Sequence, residues 1–225
     1  FCDHAHRLIV RQSALPVREC IGDNVHLCRD SLRRWRLQAG RDALGIVRSV
    51  KGLIMSQSPR QTDHAIHDQF TERWSPRSFA DTVLTQEALM PLFEAARWAP
   101  SASNNQPWRF AYGLRGDAGF AKIASALVPF NRAWAEKAGA LVAIASASRL
   151  ERDGVTSANP WHAFDTGTAW GSFALQAHHA GLIAHAMGGF DAAVLAEALK
   201  LPEGYVLHAV VAVGHQGDAA DLPEM

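Results

Sequence analysis

The chain has 225 residues, 48% of them apolar, which is enough to bury a full hydrophobic core as one domain. Its 22 basic and 22 acidic residues balance, and no apolar run approaches the roughly 18 residues needed to cross a bilayer. Nothing in the composition therefore indicates a nucleic acid, a polyanionic partner or a membrane.

Charge and cysteine are unevenly distributed along the chain. Residues 1–54 hold ten Lys or Arg against five Asp or Glu, and they contain all three cysteines. Because the remaining residues need no oxidising compartment, we expect a cytoplasmic location without a secretory leader. The cysteines and histidines of the first segment match none of the common zinc-site spacings, so we predict no metal site there. These residues are Cys2, His4, His6, Cys20, His26 and Cys28.

A domain boundary is predicted near Met55, which opens a polar run over residues 56–62 like the start of an ordinary bacterial enzyme. Residues 31–50 are rich in arginine, but their acids and glycines argue against an organellar presequence. We therefore predict two parts. Residues 1–54 are a leader of doubtful structure, either upstream sequence or an unrelated leader, and residues 55–225 form one domain.

The first helix of that domain is predicted to begin at Asp63 as its N-cap and to continue through Arg73. Pro76 would end it, because proline cannot continue a helix. One face of this helix would be apolar, formed by Ile66, Phe70 and Trp74.

A basic segment follows over residues 73–79. It brings Arg73, Arg77 and two serines close together in a short extended piece. Guanidinium groups suit a phosphate or a carbonyl-rich ring edge, whereas a solvated basic turn is the ordinary alternative for two arginines.

A second helix is predicted before a polar, proline-bracketed loop over residues 99–107, with Thr85 as its N-cap. The loop is dense in hydroxyl and amide groups, so it suits a flat polar ligand and an ordinary connector about equally well. The strand after the loop should have one buried face, formed by Trp108, Phe110 and Tyr112. The buried face of the helix is formed by Leu89, Leu92, Phe93 and Ala96.

The rest of the chain interleaves helices and strands without a regular βαβ rhythm. The stretch 146–162 is polar and is predicted to be a surface excursion. The helix that ends at Gly181 is apolar almost all round, so we expect it to be covered on both sides. A sheet of mixed direction flanked by helices is therefore predicted. The helices span residues 118–127, 131–139, 164–180 and the segment capped by Asp191; the strands span 140–145, 182–187 and 205–213.

The usual catalytic motifs are missing from the sequence. It has no G-x-S-x-G elbow, H-E-x-x-H or Walker loop, and no G-x-G-x-x-G follows a strand. His178 and His179 fall in the last turn of a helix, where a structural role is the better interpretation, and the other histidines lack ligand spacing. Chemistry without a reactive side chain indicates a cofactor that carries it.

Four motifs occur in an order typical of one enzyme family, and a final strand running into Val213-Gly214 follows them. Together they make residues 69–225 resemble the nitroreductase family of FMN-dependent oxidoreductases. The motifs are R-W-S-P-R-S-F at 73–79, A-P-S-A-S-N-N-Q-P-W-R-F at 99–110, F-N at 130–131 and H-A-M-G-G-F-D at 185–191.

The resemblance implies an α+β fold, namely a three-layer sandwich with a mixed, mostly antiparallel sheet between helices. It also implies a homodimer with FMN at the interface and the helix over 164–180 in the dimer core. Pro100, Ser101 and Ala102 match the segment that reaches the flavin from the opposite subunit.

Individual roles follow from the same resemblance. Arg73 and Ser75 match the contacts to the FMN phosphate and ribityl chain, and Asn131 matches the amide at the pyrimidine edge. The implied catalytic residues are Arg77, a cation near flavin N1 and the C2 carbonyl, and the Gly188-Gly189 turn, whose backbone N–H faces N5. The implied cofactor-binding positions are Arg73, Trp74, Ser75, Arg77, Pro100, Ser101, Ala102, Asn104, Asn131, Met187, Gly188 and Gly189.

The activity implied is a ping-pong transfer in which NAD(P)H reduces FMN at N5 and an electron-poor acceptor then takes its place. Nitroaromatics, quinones and enones are the acceptor classes. The alternative is a relative that binds or sequesters flavin without reductase turnover. Neither hypothesis includes a nucleic acid or membrane partner.

The sequence departs from the family in three places. The family has a basic segment beyond the last strand that contacts the FMN phosphate, so we expect the native chain to continue past Met225. Trp134 stands where some members carry a basic residue. Each lost charge-assisted hydrogen bond, about 1.5–3 kcal/mol, would weaken FMN binding roughly tenfold or more. The excursion over 146–162 is also shorter than in classical nitroreductases, so substrate preference cannot be transferred.

Overall fold

The structure, a computed structural model, describes residues 7–9 and 60–222. The strands of its central sheet are β1 (Arg7–Ile9), β2 (Trp108–Leu114), β3 (Ala140–Ala147), β6 (Ile183–Met187) and β7 (Tyr205–Gly214). Their order is β1-β2-β3-β7-β6, and each of these neighbours pairs antiparallel. The predicted excursion contains a separate hairpin of β4 (Arg149–Arg152) and β5 (Val155–Ala158).

Strand β3 lies at the centre of the sheet and separates two hydrophobic cores. Ala140, Val142 and Ile144 face one core, and Leu141 and Ala143 face the other. All five side chains are at most 2% exposed. This alternation follows from the two-residue period of a strand, and it requires a cover of helices on each side. The predicted three-layer α+β sandwich is confirmed, but all strand pairs of the central sheet within the described residues are antiparallel, where a sheet of mixed direction was expected.

The first covering layer consists of α2 (Gln86–Arg97) and α5 (His162–His179). The predicted apolar face of α2 is confirmed, since Leu89, Leu92, Phe93 and Ala96 are all buried. Thr85 caps α2 as predicted, because its side chain accepts a hydrogen bond from the Ala88 N–H.

The opposite layer consists of α3 (Ala118–Ser125), α4 (Pro129–Ala135) and α6 (Ala192–Leu199). The carboxylates of Asp117 and Asp191 cap α3 and α6 by accepting backbone N–H groups. Helix α4 ends four residues before the predicted end at 139. Gly139 comes so close to Leu84 that an added Cβ would lie 2.7 Å from the Leu84 Cβ, and this approach fixes the turn into β3.

The predicted helix over 63–73 is wrong in its extent. Only α1 (Gln69–Glu72) forms, its N-cap position is Asp68, and Arg73 is already extended. Ile66 and Phe70, on the predicted apolar face, are 52% and 54% exposed. Without burial of that face, the entropy cost of nucleating a longer helix has no compensation.

The prediction of one buried face for β2 is also wrong. Phe110 packs in one core and Ala111 in the other, so the strand is covered on both faces. Its neighbour β1 pairs Arg7 with Tyr112. The rest of the predicted leader, including its cysteines and histidines, lies outside the described residues, and so does Met225. The predicted division into 1–54 and 55–225 stays a prediction.

None of the helices within the described ranges combines the length and apolar character needed to cross a membrane. Helix α5 packs against the sheet and α2 along the side that carries Ala169, Phe173 and Ala177. Phe164, on the same helix, is 72% exposed in the single chain. Gly181 follows the helix with φ +70°, as a glycine at C′ should.

Candidate functional site

The basic segment after α1 is extended and held by its own side chains. The Arg73 guanidinium donates to the Ser75 hydroxyl at 3.3 Å, and Pro76 is buried. Arg73, Ser75 and Arg77 are all partly exposed, so the segment carries donors that can reach a ligand.

The chain after β7 lies against this basic segment. The Ala80 N–H donates to the His215 carbonyl at 2.9 Å, and the Gly217 N–H donates to the Ser78 carbonyl at 3.0 Å. An added Cβ at Gly217 would lie 2.7 Å from the Phe79 carbonyl carbon, so only glycine fits there. The two segments border an open cleft of about 270 Å³ lined by Trp74, Ser75, Pro76, Arg77, Ser78, Gln216, Ala219 and Leu222.

His185 joins the basic segment to strand β6. Its Nδ1 lies 3.0 Å from the Pro76 carbonyl, and its ring centroid lies 4.7 Å from that of Trp134. Burial lowers the pKa of His185, a hydrogen bond to the Pro76 backbone opposes this, and the charge of Arg77 lowers the pKa further. The imidazole is therefore held toward its neutral form beside the guanidinium.

The turn after β6 is attached to α4. The Gly189 carbonyl accepts two hydrogen bonds, one from the Val128 N–H at 3.2 Å and one from Asn131 Nδ2 at 3.0 Å. Next to Asn131, the ring of Phe130 lies 5.4 Å from the Arg77 guanidinium carbon. These contacts bring Arg77, Asn131 and Gly189 together from three separate parts of the sequence.

The two glycines of the turn have different surroundings. A Cβ added at Gly189 would lie 2.6 Å from Asn131 Nδ2, whereas one added at Gly188 would meet nothing within 4 Å. Gly188 is exposed, so a planar group can approach its backbone closely. The preceding Met187 is 3% exposed, so its side chain belongs to the core.

The polar loop before β2 rests on α5 instead. The Ala102 N–H donates to the buried Asp165 carboxylate at 3.1 Å, and Thr168 Oγ1, which lies 2.6 Å from the Asp165 carbonyl oxygen, is also 3.1 Å from the Pro100 carbonyl oxygen. Ser101 and Asn104 use their side-chain oxygens to accept from Gln106. Pro100 and Ala102 are thus attached to α5, and Ser101 and Asn104 are held within the loop itself.

Trp134 stands where the sequence resemblance led us to expect a basic residue, and its surroundings explain the aromatic side chain. It is 1% exposed, stacks on Phe79 with ring centroids 6.2 Å apart, and also contacts His185. A charged residue could not be buried in this way without a partner. Trp134 therefore supports the floor of the basic segment.

A second polar cluster lies away from this cleft. The Ser146 hydroxyl, on β3, is 2.6 Å from His162 Nδ1 and 2.6 Å from His208 Nε2. Burial lowers the pKa of His208, and the nearby His162 lowers it further. Ser146 is fully buried, which gives it no access to a substrate. Among the described residues no group of His, Cys, Asp and Glu could hold a metal ion.

Sequence reasoning missed two residues that hold segments of the candidate site in place. His185 belongs to the H-A-M-G-G-F-D motif, but only the fold shows that it reaches Pro76. Asp165 gave a weaker signal, as an acidic residue in an otherwise apolar helix, and its role depends on the loop that folds onto it. The cleft brings the Arg77 guanidinium together with the hydroxyls of Ser75 and Ser78, and the Arg73 guanidinium reaches Ser75, which suits an anionic ligand.

Comparison with known proteins agrees with this chemistry. A sequence model described as "Nitroreductase family" matches residues 70–215. A Xanthomonas oryzae pv. oryzae (strain PXO99A) protein, named provisionally as an NADH dehydrogenase/NAD(P)H nitroreductase, is 29% identical over 174 residues, which are 70% of this chain and 88% of the relative.

Solved structures of similar fold include one described as an oxidoreductase containing FMN. It is 37% identical, with a TM-score of 0.72, and the match covers 75% of this chain and 86% of that one. A Desulfovibrio desulfuricans protein, provisionally a nitroreductase and solved in complex with FMN, is 26% identical with a TM-score of 0.57, covering 70% and 90%. This chain belongs to the nitroreductase family.

Proposed function

We propose that this nitroreductase-family member is an FMN-dependent oxidoreductase that uses NAD(P)H to reduce an electron-poor small molecule. The observation that carries the proposal is the convergence of Arg77, Asn131 and Gly189, which are far apart in sequence: Arg77 lies over the ring of Phe130, and the neighbouring Asn131 donates to Gly189. The FMN content of the two structures compared above supports the same cofactor here.

The residues present fit FMN in two respects. The open space beside Gly188 leaves room for a ring against the backbone, and a Cβ there would partly fill it. The Arg73 guanidinium lies within hydrogen-bond distance of the Ser75 hydroxyl, and Ser75 lines the cleft, which suits a phosphate-tailed ligand. When bound, this cofactor would supply the redox chemistry, taking a hydride equivalent from NAD(P)H and passing it to the acceptor in ping-pong order.

The protein's part is binding, orientation and electrostatics. Arg73 and Ser75 would hold the phosphate end. Arg77 would place a positive charge where negative charge develops on the pyrimidine side of the ring. Because Asn131 Nδ2 already donates to Gly189, its Oδ1 is oriented to accept from a ring N–H. The backbone at Gly188 would approach the reactive edge.

We also propose a homodimer in which the loop over 100–104 completes the site of the opposite subunit. The loop is attached to α5, and Trp161 and Phe164 at the start of α5 are 57% and 72% exposed. Exposed aromatic residues of this kind are typical of protein interfaces. The proposed acceptors are nitroaromatics, quinones or enones, and the proposed location remains the cytoplasm.

An absorbance spectrum of the purified protein tests the function. A yellow protein that loses its colour when NADH or NADPH is added without oxygen supports the reductase. A yellow protein that keeps its colour indicates the flavin-binding alternative. A colourless protein that does not take up added FMN contradicts both. Light scattering should give a mass of two chains, and a monomer that binds FMN fully would contradict the shared site.

A further inference from the structure

His185 connects the two halves of the candidate site. It lies on β6, two residues before the end of the strand that leads into the Gly188-Gly189 turn, and its ring reaches the Pro76 carbonyl. Pro76 stands between Ser75 and Arg77. His185 therefore links the strand that leads into the glycine turn to the backbone between Ser75 and Arg77, the side chains proposed to bind the phosphate end and the ring.

The chemistry of the contact fixes which atom carries the proton. A carbonyl oxygen can only accept a hydrogen bond, so Nδ1 of His185 must be the N–H donor at 3.0 Å. The Pro76 nitrogen has no hydrogen, so the segment has one backbone donor fewer with which to hold itself in place. Its carbonyl is one backbone group through which β6 holds the segment, and the backbone of Ser75 is a second, weaker partner of the same imidazole.

The ring of His185 is held as well. Trp134 contacts it at 4.7 Å between centroids, and Trp134 itself stacks on Phe79, three residues beyond Pro76. The imidazole is thus fixed between a buried indole and a backbone carbonyl. Desolvation and the charge of Arg77 lower its pKa, which keeps a second positive charge away from the guanidinium at neutral pH.

We propose that His185 is a positioning residue of this site, whose Nδ1–H sets the place of Ser75 and Arg77 relative to the glycine turn. The inference rests on the proposed function, because it concerns how the FMN site is held together. His185 has no proposed contact with the cofactor, and it acts through the backbone of Pro76.

The test compares two variants of nearly equal shape. Both His185→Asn and His185→Leu remove the ring from Trp134, but only asparagine keeps an N–H near the position of Nδ1. The FMN dissociation constant is measured from flavin fluorescence, and folding is checked by circular dichroism and thermal unfolding. We expect His185→Leu to weaken FMN binding about tenfold, because a buried acceptor loses its donor, and His185→Asn to stay within about threefold of the wild type.

The control variant is His208→Leu, which removes another half-buried histidine whose hydrogen bond goes to Ser146. It should lower the unfolding temperature without changing FMN affinity. Equal affinity in His185→Leu and the wild type would overturn the positioning role, and so would an equal loss in both His185 variants, since the ring alone would then matter. If the wild type itself takes up no FMN, the proposed function fails with it. If His185→Leu does not fold, His185→Phe replaces it, because it keeps a ring against Trp134 and lacks the donor.

Discussion

The side-chain amide of Asn131 donates to the carbonyl of Gly189 at 3.0 Å across 58 residues of sequence. This bond attaches the turn after β6 to the helix α4 and orients the amide with its oxygen away from the turn. Because a Cβ at Gly189 would collide with the same amide, the two positions depend on each other. The two glycines of the turn should consequently respond differently to substitution.

Gly189→Ala should lower the free energy of unfolding by about 1–3 kcal/mol, because the new methyl lies 2.6 Å from Asn131 Nδ2 and forces the amide to move. Gly188→Ala should leave that free energy nearly unchanged, since nothing lies within 4 Å of the new methyl. Urea unfolding measures both. Gly188→Ala should nevertheless weaken FMN binding, because the methyl occupies the space of the ring. Equal FMN affinity in Gly188→Ala and the wild type would contradict a ring packed there.

Arg77→Ala should slow flavin reduction by NAD(P)H more than it weakens FMN binding. The reason is that a cation beside the pyrimidine edge stabilises charge that develops only during the transfer. We expect a fall in the reduction rate of at least about tenfold, measured by anaerobic stopped-flow absorbance. Arg77→Lys keeps the positive charge but loses the planar guanidinium, so its reduction rate should lie between those of the wild type and Arg77→Ala. An unchanged reduction rate in Arg77→Ala would reject this role.

Stability should depend on pH through His208 and His185, whose pKa values are lowered in the folded state, chiefly by burial. The unfolded chain then binds protons more readily than the folded one. The stabilisation is complete above the unfolded pKa of about 6.5, and it is lost as the pH falls through the folded values. Urea unfolding between pH 7.5 and about 5 should show this loss.

His208→Gln should make the pH dependence shallower, because it removes one of the two groups. The exposed His64 provides the control, and His64→Gln should follow the wild-type curve. The Ser146 hydroxyl has a single hydrogen, so it donates to one of the two imidazoles and accepts from the other. If the free energy of unfolding of His208→Gln changes with pH as steeply as that of the wild type, this account is contradicted.

Asp165→Ala should loosen the loop over 101–106, since the buried carboxylate is the acceptor of the Ala102 N–H. Limited proteolysis should cut this loop faster, and the free energy of unfolding should fall by about 1–3 kcal/mol. Asp165→Asn keeps an acceptor oxygen, so its free energy of unfolding should fall less than that of Asp165→Ala. If the loop completes the site of the opposite subunit, Asp165→Ala should also weaken FMN binding. Unaltered proteolysis would mean that the loop is held by its other contacts.

The strongly periodic elements could be predicted from the sequence, because they depend on interactions between residues that are close together in the chain. The face of α2, its Thr85 cap and the central strand β3 each depend on residues within one turn or one strand. The segment before Arg73 could not be predicted in this way. Its apolar spacing indicated a helix, but whether that face is buried depends on which distant surface is available to cover it.

The candidate site also has parts that could be predicted from the sequence and parts that could not. The motifs around Arg77, Asn131 and Gly189 identified residues that the fold brings near one another. The attachment of His185 to Pro76 is not visible in the sequence, because the two are 109 residues apart and the bond needs a proline carbonyl, which no side-chain pattern reveals. The same holds for the Ala102–Asp165 bond, which depends on how the loop folds onto α5.

The antiparallel contact between Phe79 and Gln216 has a consequence for biosynthesis. The wall of the cleft is formed in part by residues that are translated late in this sequence. The Ser78 hydroxyl, for example, donates a hydrogen bond to the carbonyl of Asp218, 140 positions later. A nascent chain that lacks β7 has no such wall and exposes its basic segment to the surrounding solution. We therefore expect cofactor capture to follow translation of β7 and Gln216, so overproduction in flavin-poor cells should yield folded apoprotein that can still be loaded afterwards.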